Sequence, residues 1–493
     1  MRSSNRFTSL VTLLSLSLVI GTTGGWTQVN SDVVTDAMRK ASAFMMKQVS
    51  NRGGFLMLYS EDLSEKWGEI PARDSMIWVQ DPGTVGVGQA LLKAYEVTHD
   101  PEFLGYAKKA ADALVWGQHP MGGWHYFIDF DPDGVEAWYR DVASKCWGWE
   151  EFYYYCGNCT FDDEVTVAAT RFLLDLFEAT GDDKCGEPLF KALDFFLASQ
   201  DPNGAWPQRY PPCETGTKAK PDYTQYYTYN DGVISSNISF LLGASERLKA
   251  EKYKEAAERG MRFVLESQLP PPQAGWAQQY TPDMKPAAAR SCEPAAISLI
   301  DTLQNIQHLY DYYRLTGDRV YVRGIPLALD WIEASKLPED HTEGGKYTHA
   351  IFYEPGTNKP LYAHREGRTR ETGRYWVDSV PKDILRGYGY QVKIDVGFLR
   401  REYERISRLT AEEARNEYEA RKEAAKRIPV VAEERVKQLV EGLDERGAWV
   451  EEISIPDYHD YMNNPPRTLR GISTRTYIEN MRVLTDHLKE TKG

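Results

Sequence analysis

QDPNGAWPQRY, residues 200–210, sets a glutamine, a Pro-Asn-Gly turn and a tryptophan at fixed offsets, and the chain writes that pattern again. QHPMGGW at 118–124 keeps Gln, Gly and Trp in the same places, and looser copies stand at Gly53-Gly54-Phe55, Gly275-Trp276, Gly344-Gly345 followed by Tyr347, and Gly447-Ala448-Trp449. Before QDPNGAW, Ala169, Phe172, Leu173, Leu176 and Phe177 fall on one helical face, Thr180-Gly181-Asp182 breaks the pattern, and Leu189, Leu193, Phe196 and Leu197 make a second face. The unit is helix, turn, helix, Gly-aromatic loop. It recurs over 85–124, 233–276 and 296–347, where Thr316-Gly317-Asp318 repeats the break, with partial copies near 34–55 and 394–449.

A two-helix unit returning every roughly seventy to eighty residues buries its faces against its neighbours, and about six such hairpins predict an all-α fold, an α/α toroid. Glycine lets the chain leave a helix at positive φ, the aromatic ring packs on the hairpin end, and the glutamine amide reaches free carbonyls. Long polar inserts follow these loops at 126–160, 208–230, 278–293 and 348–382, so they are expected on one face, which carries the function. The charged stretch 400–427 reads as an exposed helix.

The 493 residues are 42% hydrophobic, enough for a large core. Arg2 and Arg6 precede an apolar run at 10–20 and small residues at 21–25, the layout of a signal peptide over 1–25, with an uncleaved anchor as the alternative. The expected mature protein, 26–493, is one exported toroid domain, secreted or periplasmic and not held by a membrane. Within it, 379–493 is expected to be a helical part that completes or flanks the ring. Six cysteines suit export; Cys156 and Cys159 form a lone CxxC that reads as a disulfide or two thiols rather than zinc ligands.

A net charge of −14 argues against nucleic acid as partner and requires a local basic cluster for any anionic substrate. No Gly-rich phosphate loop, HExxH or GxSxG occurs. Asp162-Asp163-Glu164 and Asp231 each stand just before a helix; acids there can cap it, and clustered carboxylates also suit Ca²⁺. Segment 285–293 embeds Lys285 and Arg290 in what otherwise reads as a plain surface loop, and 358–376 packs Lys359, His364, Arg365, Arg368, Arg370 and Arg374 among Tyr362, Tyr375 and Trp376, either a solvated loop or a cradle for an anion with rings to stack on sugars. Asp129 to Gly134 copies half of an EF-hand loop, but Arg140 fills the twelfth position.

Together, GGWHYFIDFD, GNCTFDD, GAWPQRYP, TYNDGV, WAQQYTPDMKPAAAR and FYEPGTNKPLYAHREG resemble, in order, the blocks of the family 10 polysaccharide lyases, which are pectate lyases, and this resemblance marks a lyase-like core over about 122–378. The resemblance implies a toroid-like fold and calcium-assisted β-elimination of polygalacturonate to unsaturated oligogalacturonides, with an arginine base. It places Arg290 as that base, Asp162, Asp163 and Asp231 at the metal, and Lys285, Asn230, Arg365, Arg370 and Tyr375 on the substrate, in a monomer. Ala288 stands where the family commonly has lysine, and the arginine-bearing loop is shorter. An arginine base calls for a cationic neighbourhood that favours its neutral form. The alternatives are a hydrolase of uronic-acid polysaccharides using Asp162 with Asp231, and a pectin-binding protein without catalysis. The Gln-Gly-Trp loops also resemble those of triterpene cyclases, but the Asp-x-Asp-Asp acid of that class is missing.

Overall fold

A computed structural model describes residues 30–146, 149–153, 155–213, 223–366, 374–385, 390–427, 430–459 and 465–492. The signal-peptide region and Arg370 lie outside the described residues.

The helices are α1 (Ser31–Phe44), α2 (Thr84–Thr98), α3 (Pro101–Trp116), α4 (Val135–Asp141), α5 (Val165–Thr180), α6 (Asp183–Ala198), α7 (Val233–Leu248), α8 (Glu251–Glu266), α9 (Leu299–Thr316), α10 (Val320–Arg323), α11 (Ile325–Ala334), α12 (Val396–Ser407), α13 (Ala411–Ala425), α14 (Glu433–Glu441) and α15 (Thr474–Lys492). Hairpins α2/α3, α5/α6 and α7/α8 pack as units, their first helices touch in succession from α15 through α2 and α5 to α7, and α9 lies on α13. The fold is an α/α toroid.

The breaks between paired helices are chemically alike. Thr98, Thr180 and Thr316 each return a hydroxyl bond of 2.7 Å to the carbonyl four residues back, and each accepts the amide two residues ahead. His99, Gly181 and Gly317 take the left-handed conformation that ends the first helix, and Asp100 and Asp182 cap the second. A Thr-x-Asp spelling therefore stops one helix and starts the next within three residues.

The Gln-Gly-Trp loops then join one hairpin to another. Gln118 Nε2 donates to Gly122 O (2.8 Å) in its own loop and to Pro188 O (2.9 Å) in α6; Gln200 repeats this with Gly204 O (3.0 Å) and Ala256 O (2.9 Å) in α8. Gln268 does the same with Ala274 O and Gly324 O, although Ala274 stands where those two loops have glycine. Trp124, Trp206 and Trp276 are fully buried, and each indole N–H donates to a carbonyl of the preceding helix at 2.8 to 2.9 Å. Gly204 has φ +96°, and a Cβ there would stand 2.2 Å from Arg259 O. The glutamines bond as the sequence pattern predicts.

The sixth hairpin is assembled from both chain ends. α15 packs on α1 and α2, buried Ser42 and Tyr477 share a 2.7 Å hydrogen bond, and a Cβ on Gly447 would meet Lys40 O of α1 at 2.6 Å. The last repeat therefore rests on the first helix, which closes the ring. Short antiparallel strand pairs occupy the inserts: Cys159–Thr160 with Arg209–Tyr210, Tyr227–Thr228 with Gln279–Tyr280, and Pro360–Glu366 with Arg374–Asp378. The first two pairs set the exit of one hairpin beside the entrance of an inner helix, α5 or α7. The inserts meet at the same end.

Gly204→Ala forces a left-handed backbone and a backbone clash together, so it is expected to destabilise by about 2–4 kcal/mol. Gln200→Ala strands two carbonyls and is expected to cost about 1–3 kcal/mol. Thermal unfolding followed by tryptophan fluorescence measures both, and an unchanged melting temperature in either variant contradicts the clamp.

Candidate active site

Two turns with one geometry introduce α5 and α7. Asp163 and Glu164 have φ of +48° and +60°; at the same offset Asp231 and Gly232 have φ of +50° and +74°. Left-handed backbone is tolerated by aspartate and free for glycine, but a glutamate there is strained. Neither turn caps its helix with a side chain. The acids are therefore spent on something other than capping.

Asp163 accepts the Gln80 amide at 2.9 Å, and the same amide reaches Glu69 at 3.0 Å. Asp162 is buried, bonded through Oδ2 to the Tyr126 hydroxyl, and its Oδ1 has no partner. Asn230 donates to Asp231 Oδ2 at 2.7 Å. The two turns touch, so the carboxylates of consecutive repeats converge.

Arg290 reaches this cluster from the 285–293 segment. Its Nε lies 3.6 Å from Glu293 Oε2 and 3.8 Å from Glu151 Oε2, and its Nη2 lies 3.8 Å from Asp231 Oδ2. Glu293 also accepts the Arg290 backbone N–H, and Glu150 accepts that of Ser291 at 3.0 Å, so the Glu150–Phe152 turn docks on the arginine loop. Arg209, from the opening stretch, is buried, donates to Glu151 O at 2.8 Å and lies over the Tyr126 ring. Among the described residues, the ion-pair partners of Arg290 are acidic where a cationic neighbourhood was expected, because the Asp231 turn, the Glu150–Phe152 turn and Glu293 bring carboxylates to it.

Burial in this set disfavours ionised carboxyls. Desolvation pushes Glu151 up to about 7, opposed by Arg290, with Glu69 and Asp162 adding to the rise. Asp163 and Asp231 are also raised, first by desolvation and then by neighbouring carboxylates, with Arg290 opposing. Glu151 was absent from the sequence reading; Glu150-Glu151 sits among aromatics in an insert, with no spacing to mark it.

Other sequence candidates are placed elsewhere. Lys285 is exposed and pairs with Asp283 at 2.5 Å. Arg365 and Tyr375 face each other in register across the Pro360–Glu366 and Arg374–Asp378 strands. Tyr390, near Tyr375, donates to Cys292 O at 2.9 Å, which connects this sheet to the arginine loop. His364 stacks on Trp376 and contacts Asp378, and Tyr362 is a core residue rather than a sugar platform. The half EF-hand holds a guanidinium: Arg73 lies 3.4 Å from Asp129 and 2.5 Å from Asp131. Cys156 pairs with Cys213 instead of Cys159, which is a buried thiol, since the insert carries Cys156 back to the strand exit after Trp206.

Among the described residues, no group of three or more His, Cys, Asp or Glu side chains is arranged to hold a metal ion. Asp162, whose Oδ1 is orphaned, and Asp163 and Asp231 carry hard oxygen donors of the chemical type that calcium takes.

The hairpin entrances of this toroid converge on one arginine and several carboxylates, and it is the family match that makes the protein a polysaccharide lyase. Residues 153–397 match the family model described as pectic acid lyase, and the chain belongs to that family. Among solved structures, a family 10 polysaccharide lyase from Cellvibrio cellulosa is 18% identical, with a TM-score of 0.42 over 66% of this chain and 98% of its own. A variant from that family and organism, in complex with trigalacturonic acid, has 18% identity and a TM-score of 0.37, covering 56% of this chain and 86% of that one. An unsaturated glucuronyl hydrolase specific for heparin is 10% identical, TM-score 0.39, over 94% and 99%. No curated protein matches.

Raised carboxyl pKa values mean that the folded protein holds protons the unfolded chain releases. Stability from these groups is full at about pH 4 and is lost as pH rises toward 7 and above. Asp231→Asn removes one charge from the crowd. We expect its melting temperature to exceed that of the native protein at pH 8 and to converge with it near pH 4, in chelator throughout; a lower value at pH 8 contradicts the repulsion.

Proposed function

We propose that the protein is an exported pectate lyase that cleaves polygalacturonate by calcium-assisted β-elimination, with Arg290 as the base. The observation that carries this reading is the approach of Arg290 to the twin carboxylate turns, 3.8 Å from Asp231, in the segment that matches the family's arginine block. No helix among the described residues is long and apolar enough to cross a membrane.

Elimination removes the C5 proton beside a carboxylate and expels the C4 oxygen, so negative charge grows where charge already stands. Asp162, Asp163 and Asp231 would hold calcium, which when bound neutralises the uronate carboxylate. Asn230, bonded to Asp231, fixes the direction of that carboxylate. Arg290 in its neutral form takes the C5 proton and becomes guanidinium, a charge that Glu151, Glu293 and Asp231 are placed to receive. Arg365 and Tyr375 supply an anion donor and a ring on adjacent strands for a neighbouring sugar, Lys285 and Arg370 supply cations toward the incoming chain, and the enzyme acts as a monomer.

The test is ultraviolet absorbance of polygalacturonate treated with the protein, with calcium or with chelator. Unsaturated product is expected only with calcium, and Arg290→Ala is expected to lower kcat by at least about 10³-fold. Saturated ends indifferent to chelator would point to a hydrolase, and binding without product to a pectin-binding protein.

A further inference from the structure

Buried tyrosines elsewhere in the fold place their hydroxyls on acceptors. Tyr126 bonds Asp162, Tyr229 shares a 2.6 Å bond with Ser267, Tyr280 donates to Ser267 O at 2.8 Å, and Tyr390 donates to Cys292 O at 2.9 Å. Tyr223 is the exception: among the described residues it is the one tyrosine whose hydroxyl is buried and has no partner. Its electrostatic neighbours are Glu151, Arg290, Arg209 and Glu293. A donor without an acceptor, in the company of the base, points to a ligand oxygen.

We propose that Tyr223 is the proton donor to the departing C4 oxygen. The inference rests on the lyase reading and extends it, since that reading supplies a base but no acid. In the step, neutral Arg290 takes the C5 proton, the C5–H electron pair forms the C4–C5 double bond, and the C4–O pair leaves with the oxygen. Tyr223 Oη–H passes its proton to that oxygen and becomes tyrosinate. The guanidinium just formed on Arg290 then returns a proton to Tyr223, so the pair resets without an outside acid. One proton leaves carbon and one reaches oxygen.

Two features favour tyrosine over the carboxyls nearby. Burial and the Glu151 charge keep the Tyr223 phenol protonated, so it is always ready to donate, while the two guanidiniums of Arg290 and Arg209 ease the brief tyrosinate. Glu293 is occupied by the Arg290 backbone, and Glu151 faces the guanidinium. The sequence held no sign of this role, because Tyr223 stands among Tyr226, Tyr227 and Tyr229 in one insert.

Tyr223→Phe deletes only the unpartnered hydroxyl. The expected result is a kcat on polygalacturonate lowered about 10²- to 10⁴-fold, KM within about threefold, and a melting temperature equal to or above that of the native protein. On an oligogalacturonide carrying fluorine in place of the C4 oxygen at its non-reducing end, fluoride leaves without a proton, and the loss should shrink to under about tenfold. An undiminished kcat on polygalacturonate overturns the proposal, as does an equal loss on both substrates, which would make Tyr223 a positioning residue. If the native protein yields no unsaturated product, the lyase reading itself fails and this inference falls with it; the native control separates the two cases.

Discussion

A backbone carbonyl approached so closely that only glycine can face it recurs around this ring. A Cβ on Gly53, Gly122, Gly204 or Gly447 would stand 2.2 to 2.6 Å from the carbonyl of Lys109, Lys191, Arg259 or Lys40, each on the second helix of a neighbouring hairpin. At that distance the loop has a single permitted path, and the glutamine and indole bonds hold it there. The exit strands therefore emerge at one end in one direction. The convergence of the Asp163 and Asp231 turns follows, since Gln208 O and Gln278 O, each two residues past its tryptophan, accept the Phe161 and Tyr229 amides that begin them.

This dependence explains what could be read in the sequence. Gln, Gly and Trp each do a job no other residue does equally well there, so selection of residue type leaves a periodic trace. The Thr-x-Asp breaks are legible for the same reason. The split sixth hairpin is not, because α15 and α1 meet by packing of ordinary amphipathic faces and by one Ser42–Tyr477 bond, and neither has a spelling. Nor could the half EF-hand betray that Arg73, 58 residues from Asp131, occupies it.

The site was legible in part. Arg290, Asp163 and Asp231 stand at block positions, and the fold brings them together; Asn230 joins them by adjacency. Glu151 and Arg209 depend on how an insert folds back across 58 residues, a distance at which local pattern is silent. The same folding pairs Cys156 with Cys213, past the nearer Cys159.

The acidic surroundings of Arg290 change how its chemistry must be understood. Carboxylates beside a guanidinium favour the charged form, which cannot accept a proton, and an acid-rich rim also repels a polyuronate. On the proposed reading both problems have one remedy, because a divalent cation, if held by Asp162, Asp163 and Asp231, would withdraw negative charge from the base and from the approaching substrate alike. Burial first, and the crowding of neighbouring carboxylates after it, raises the pKa values of Glu151, Asp163 and Asp231. On that reading, an arginine base set among acids is a site whose electrostatics would be completed only when metal and substrate arrive, the carboxylates until then holding the arginine in place rather than in readiness.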